Sequence, residues 1–199
     1  MQSVVDICNS ALTKIGARRI LSLDDATRES DACKNSYDRS RRAVLRSHPW
    51  NCAVTRVILA PLSTVPAFGF SHQFQLPSDC LRLIDLDEGE DQDFKIEGKT
   101  ILSDETSLDV RYIRDVTISS DMDVLLAEAI ACYIAWDISY AVTQSNDVRD
   151  EMWTAFQKLV RTSKTVDAQE DAISLLEANQ WVDSRIAGST ANQMRDYTP

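Results

Sequence analysis

The segment from Met122 to Val142 constrains the fold most, because it is apolar almost all the way round a helix. A helix without a polar face is either a membrane span or the central helix of a packed domain. Asp123, Glu128 and Asp137 interrupt the segment, and each charge near the middle of a bilayer costs kilocalories. The sequence therefore predicts a buried helix around which other helices pack. Asp121 is predicted to cap its first turn.

Asp137 lies among the apolar positions of this helix. A carboxylate in that position is usually paired with an arginine of a neighbouring helix, and we favour that interpretation. The alternative is a catalytic acid, which in a hydrolase would act together with Glu128. The substitution Asp137→Asn separates the two, because it abolishes activity in the second case and only weakens folding in the first.

The flanking segments predict three further helices and a small sheet. Ser3 and Asp6 are expected to cap a first helix that stops at Gly16, and Leu21 and Leu23 are expected to enter the core. A second helix is predicted from about Ala26 to His48, where Pro49 ends it. Residues 80–117 alternate with period two and contain the turn Glu97–Lys99, which indicates a small antiparallel sheet. Asn146 is predicted to cap a fourth helix.

These elements predict a mainly α (α+β) fold, a four-helix bundle with a small antiparallel β insertion and an extended C-terminal segment. Residues 1–56 would form the N-terminal helical hairpin of the bundle, and residues 57–118 a linker and the β insertion. Residues 119–167 would form the C-terminal helical hairpin. Residues 168–199 would form a C-terminal helix and a flexible tail that docks on a partner.

The cysteines and the first residues indicate where the protein is made. Five cysteines are scattered without a C-x-x-C pair, which is the usage of a reduced, cytosolic protein. Asp6, Asn9 and Lys14 exclude the apolar core of a signal peptide at this end of the sequence. With the buried helix assigned to a domain core, we expect no membrane span.

Charge is divided unevenly along the 199 residues. Residues 1–60 carry ten basic and six acidic side chains, whereas residues 61–199 carry eleven basic and twenty-five acidic ones. A free nucleic-acid-binding protein rarely has this balance. The asymmetry suits a chain that meets copies of itself head to tail, since such an interface needs two complementary surfaces. An acidic protein that is merely soluble explains it equally well.

Two groups of residues are candidates for contact with partners. Arg28, Arg39, Arg42 and Arg46 share one face of the second helix, and we call them the basic strip. The strip could contact phosphate or an acidic partner surface, or it could be a solvated face with pairs such as Asp38 to Arg42. Trp153 stands off the apolar stripe of the fourth helix, which suggests a second contact surface.

The second group lies near the C-terminus. Leu175, Leu176, Trp181 and Ile186 are apolar residues just before a polar end segment. They would either anchor a partner or pack back on their own domain, and the sequence does not decide between these.

Motifs of catalysis are missing from the sequence. It has no phosphate-binding glycine loop, no G-x-S-x-G elbow, no H-E-x-x-H and no zinc spacing. A Cys–His nucleophilic pair or a zinc site would have to come from scattered residues whose spacing gives no support: Cys33, His48, Cys52, His72 and Cys80. We therefore expect neither an enzyme nor a bound cofactor or metal.

Several blocks, in this order along the chain, resemble a known family. They are NSALTKIG (9–16), SLDD (22–25), RAVLRSHPWNCA (42–53), RVILA (56–60), PAFGF (66–70), FQLPSDCLR (74–82), and Trp181 followed by Arg185. Together they are similar to the tail tubular protein A family, the head-to-tail adaptor (connector) proteins of short-tailed bacteriophages.

The resemblance implies a ring of twelve copies beneath the capsid portal. One face of the ring would meet the portal protein and the other the tail nozzle, of the tail tubular protein B type, while DNA passes through the lumen without specific binding. The protein would be made in the bacterial cytoplasm and end in the virion tail. The resemblance makes Arg185 a further candidate for the docking residues of the tail. The alternative function is a soluble, non-catalytic helical module that binds a folded protein partner.

Overall fold

The computed structural model describes residues 3–86 and 93–170, which mix helices with short antiparallel strands in an α+β fold. The helices are α1 (Val4–Lys14), α2 (Arg28–Ser47), α3 (Val124–Thr143) and α4 (Asn146–Glu170). The strands are β1 (Val54–Leu59), β2 (His72–Gln75), β3 (Cys80–Leu86), β4 (Phe94–Glu97), β5 (Thr100–Ser103) and β6 (Leu108–Arg114). The described residues up to Asp167 form one compact unit.

The predicted buried helix is confirmed as α3, which packs against both α1 and α2. Its buried side chains lie at the centre of a core that also takes in residues of α1, α2 and α4. By length and hydropathy α3 is the one described helix that could cross a membrane, a test that core helices of soluble proteins also pass. Its packing between two other helices accounts for the missing polar face.

The start and end of α1 follow the sequence signals. The Asp6 backbone N–H donates to Ser3 Oγ at 3.1 Å, and the Ser3 backbone N–H donates to the Asp6 carboxylate at 2.9 Å. This reciprocal capping box confirms the predicted start, and its hydrogen bonds lower the pKa of Asp6. Gly16 follows the helix with a φ of +69°.

The predicted caps of α3 and α4 are wrong by one or two residues. Asp121 ends a short 3-10 helix, Ser119–Asp121, and the carboxylate of Asp123 accepts the first-turn hydrogen bond of α3 instead. Met122 between them is buried in an extended conformation, which delays the helix start. Asn146 is the first residue of α4 rather than its cap, and Ser145 Oγ accepts a hydrogen bond from that first turn.

The second helix is shorter than predicted, because Thr27 caps it and His48 is already extended before Pro49. After this turn the indole of Trp50 is buried, and its Nε1–H donates to the Val44 carbonyl at 3.1 Å. The bond satisfies one of the carbonyls that lack a partner at a helix end. Trp50 therefore covers the corner between α2 and β1.

The loop between α1 and α2 packs differently from the prediction. Leu21 is 94% exposed, so its predicted place in the core is wrong, whereas Leu23 packs partly against the core. Ile20 is the buried residue instead. Asn9 of α1 fixes it, since the Asn9 side chain donates to the Ile20 carbonyl and accepts from the Ile20 N–H at 2.9 and 2.8 Å.

The β region contains two three-stranded antiparallel sheets, so the prediction of a single small sheet is wrong. The strand orders are β1-β6-β3 and β2-β5-β4. Short apolar strands from both sheets enclose a second core of buried residues: Leu59, Phe74, Ile101, Leu108, Val110 and Tyr112. The strands β1 and β2 were missed because their polar and prolyl neighbours hide the alternation.

The predicted turn at Glu97–Lys99 is confirmed as the hairpin between β4 and β5. Gly98 has a φ of +61° and is the first of two loop residues. A two-residue hairpin turn needs a positive φ at this position, which glycine adopts without strain. The hairpin places β4 at the edge of its sheet.

Candidate interaction surface

Every arginine of the basic strip contacts its own chain. Arg28 and Arg46 donate to the backbone carbonyls of Ala141 and Leu81, respectively. Arg39 pairs with the carboxylate of Asp137, and Arg42 pairs with that of Asp115. The strip therefore braces α2 against α3, β3 and the end of β6, while all four side chains remain partly open to solvent.

The two kinds of partner leave different charge on the surface. A carbonyl accepts a hydrogen bond without neutralising the guanidinium, so Arg28 and Arg46 keep their full positive charge. Arg39 and Arg42 are each matched by a carboxylate. Within the basic strip, the positive charge that could attract an acidic partner is thus concentrated at the two ends of α2.

Asp115 is the centre of an ion-pair network that the sequence analysis missed. Arg41 reaches it with two hydrogen bonds at 3.0 and 3.1 Å, and Arg42 with one at 2.9 Å. Arg41 also donates to Asp38, so the suggested pair of Asp38 with Arg42 is wrong. The side chain of Arg41 is 5% exposed, whereas that of Arg42 is 60% exposed. Arg41 fell outside the strip because it faces the interior of the fold.

The predicted pairing of Asp137 with an arginine of a neighbouring helix is confirmed. Asp137 accepts from Arg39 and also from the hydroxyl of Ser36, at 2.6 Å, and both residues lie on α2. Glu128 pairs with Lys14 of α1 and accepts from Ser10 at 3.3 Å. Although burial opposes it, Glu128 raises the pKa of Lys14.

The two acidic residues of α3 do not form one site. Glu128 and Asp137 are nine positions apart, which is about 14 Å along the axis and half a turn round it. Each pairs with a different helix. Two carboxylates that share one substrate in a hydrolase lie within about 10 Å and face each other. The geometry therefore favours two structural ion pairs.

Trp153 belongs to an aromatic cluster between α3 and α4. Its ring centroid lies 5.0 Å from that of Trp136 and 5.4 Å from that of Phe156, and Tyr133 contacts all three rings. Arg149 lies over the Trp136 ring at 5.2 Å. Phe156 is buried, whereas Trp153 remains 36% exposed at the edge of the cluster. Trp153 thus combines a packing role with an accessible apolar edge.

The cysteines and histidines are spread through the fold. Cys33 of α2 lies in the core against Cys8 of α1, and their hydrogen bond raises the pKa of the Cys8 thiol. His48 pairs with Asp167 of α4. Burial raises the pKa of Cys52 and Cys80, which makes these thiols poor nucleophiles. The described residues contain no group of three that could hold a metal ion.

The remaining candidates lie outside the described residues. They are the docking residues of the tail: Leu175, Leu176, Trp181, Arg185 and Ile186. Of the candidates that the structure describes, Arg28 and Arg46 present unneutralised charge and Trp153 presents apolar surface. The chain matches no protein-family model and none of the curated proteins.

Proposed function

We propose that this protein is a structural, non-catalytic adaptor that forms a ring between the portal and the tail nozzle of a short-tailed bacteriophage. The observation that carries the proposal is the ordered set of sequence blocks, from residues 9–16 to Arg185, that resembles the tail tubular protein A family. In this role the chain is a virion tail component, made in the host cytoplasm, and its ring has twelve copies.

The blocks lie at architectural positions, which suits a structural role. The block 42–53 contains the buried Trp50 and the end of α2, and the block 74–82 contains the buried Phe74 and the start of β3. The four helices, with the aromatic cluster joining α3 to α4, would form the body of the ring as a bundle. The two sheets would form the β insertion.

Charge supports contact between successive copies. Arg28 and Arg46 lie at the two ends of α2, about 27 Å apart by helix rise, and both are exposed. Residues 61–199 have an excess of acidic side chains on the other part of the chain. A head-to-tail ring would bring these unlike surfaces together. A lumen of net negative charge would let DNA pass, since like charge avoids the phosphate contacts of tight binding.

The experiment is the mass of the purified protein by light scattering, alone and mixed with a portal protein of the same phage. A closed ring, or a stoichiometric complex with the portal, supports the adaptor. A chain that ignores the portal and forms no ring contradicts it. The latter result favours the second candidate, a soluble protein-binding module that would use the exposed edge of Trp153.

Variants of the basic strip test the contact between copies. Arg28→Glu and Arg46→Glu remove charge that is not neutralised internally, so they should weaken ring assembly and leave the helical content unchanged. Lys158→Glu, an equal change of charge on an exposed position of α4, is the matched control and should assemble normally. Equal assembly by all three variants would contradict a role of these two arginines at the interface.

A further inference from the structure

The strand β4 forms an edge of the β2-β5-β4 sheet, and no described strand pairs with its outer side. The opposite edge is partly covered, because Pro61 forms a β-bridge with Phe74 of β2. An uncovered edge offers a row of backbone donors and acceptors to another strand. Among the described residues, the outer side of β4 is therefore open to a further strand.

The hairpin geometry identifies the backbone groups that face outward. Glu97 and Thr100 close the two-residue turn and form a hydrogen-bonded pair, so the next bonded pair is Lys95 with Leu102. The alternate residues, Phe94 and Ile96, therefore direct their N–H and C=O groups away from β5. Two residues of β4 are ready to bond a further strand.

The same two residues expose apolar side chains. Ile96 is opposite Ile101, which is opposite Phe74, so these three share one face of the sheet. Ile101 and Phe74 are fully buried in the second core, whereas Ile96 and Phe94 on β4 are 46% and 42% exposed. The apolar face of the core thus extends uncovered to the edge of the sheet.

The charged residues of this segment favour a copy of itself as the added strand. Lys95 and Glu97 both lie on the opposite face, are exposed, and pair with each other within the chain at 2.9 Å. In an antiparallel pair centred on Ile96, Lys95 is opposite Glu97 of the second copy, so each charge meets an opposite one across the pair as well as within its own chain. Two-fold symmetry doubles this pair, which makes two pairs of opposite charge between the copies.

The neighbouring registers are unfavourable. Centring on Lys95 sets that residue against itself and Asp93 against Glu97. Centring on Glu97 sets that residue against itself. Like charges directly opposite destabilise a strand pair, and the backbone groups of both these centres already face β5. Centring on Phe94 uses outward backbone groups but pairs only that residue of β4 with β4, whereas centring on Ile96 pairs three residues of β4. The pairing centred on Ile96 therefore agrees best with the charges, the outward backbone groups and the length of the strand.

We propose that the free protein forms a two-fold dimer in which β4 pairs antiparallel with β4 of a second copy, with Ile96 opposite Ile96. The pairing joins two three-stranded sheets into one of six strands and covers the exposed apolar residues of the edge. This contact is isologous, unlike the head-to-tail contacts of a ring, so it does not rest on the proposed function. The dimer is the state of chains that are not assembled into a ring.

Charge reversal tests the register. Lys95→Glu and Glu97→Lys each create two repulsive pairs between the copies, besides breaking the pair within each chain, and each should weaken dimerisation about ten- to a hundred-fold. The double variant Lys95→Glu/Glu97→Lys restores unlike charges and should recover the dimer. Lys158→Glu is the control for the change of net charge in Lys95→Glu and should dimerise normally. The readout is sedimentation equilibrium of the full chain across a concentration series.

A proline tests the backbone pairing independently. In Ile96→Pro the lost N–H is one that faces outward, so the bonds to β5 survive and the dimer should be lost. Circular dichroism should show an unchanged fold. A wild-type protein that is monomeric throughout, or an oligomer that responds neither to the charge reversals nor to Ile96→Pro, would overturn the proposal.

Discussion

Arg41 and Arg42 bind the same carboxylate from different environments, and this allows burial to be tested separately from the ion pair itself. Both contact Asp115, which is itself 10% exposed. Replacing either arginine by methionine keeps most of the aliphatic stem and removes the guanidinium. The two variants differ in whether the lost group was buried or solvated, and Arg41→Met also removes a second hydrogen bond to Asp115 and the one to Asp38.

The expected losses of stability follow from that difference. Breaking a buried ion pair by removing one partner costs about 3–5 kcal/mol, and Arg42 still contacts Asp115 in Arg41→Met, so we expect a loss of about 2–4 kcal/mol. An exposed pair is worth about 0–1 kcal/mol, which is the loss expected for Arg42→Met. In a chain of this length each kcal/mol lowers the Tm by about 2–4 °C.

The assay is urea unfolding of the wild type and both variants, with the thermal midpoints measured in parallel. In Arg41→Met the Asp115 carboxylate keeps its charge but loses its buried partner. The double variant Arg41→Met/Asp115→Asn removes that charge too, and it should be no less stable than Arg41→Met alone. Equal losses from the two single variants, or a larger loss from Arg42→Met, would refute the argument that burial of Arg41 decides the strength of this network.

Three further predictions concern stability. Burial and the nearby Asp79 carboxylate raise the pKa of Tyr112 to about 12. In the unfolded chain this tyrosine loses its proton at its ordinary pKa of about 10. The free energy of unfolding should therefore fall as the pH rises from about 10 to about 12. Tyr112→Phe should flatten that decline by about 1–2 kcal/mol in unfolding measured at alkaline pH. Gly98→Ala should destabilise the fold by about 1 kcal/mol because of its positive φ, and Gly98→Asn by less, in urea titrations. Phe156→Ala should cost about 3–4 kcal/mol and Trp153→Ala clearly less, because only the first ring is buried; equal losses would contradict this.

The helical part of the fold could be predicted from the sequence because its signals are local. The capping box at Ser3 and Asp6 marks a helix start within four residues, and Pro49 marks a helix end. The burial of α3 could be predicted for the same reason, because its apolar residues are close together in the sequence. Errors of one or two residues arose where a distant contact intervened, as with buried Met122 before α3.

The β region and the ion pairs could be predicted only in part. Two strands separated by a turn are visible as alternation, but the pairing of β6 between β1 and β3 depends on contacts far apart in the chain. Likewise the partner of Asp137 could be specified as an arginine of another helix, while the acidic partner of Arg41 could not. Asp115 follows β6, and only the fold brings it to α2.

The ion pairs of α3 have a consequence for how this helix is oriented. A helix that is apolar on every side has no hydrophobic stripe to choose which side meets which neighbour, so many rotations about its axis would bury similar area. Glu128 faces α1 and Asp137, half a turn away, faces α2. Rotating α3 would separate both carboxylates from their cations at once. The two pairs therefore contribute less to the stability of the packed helix than to the selection of its native rotation about the axis.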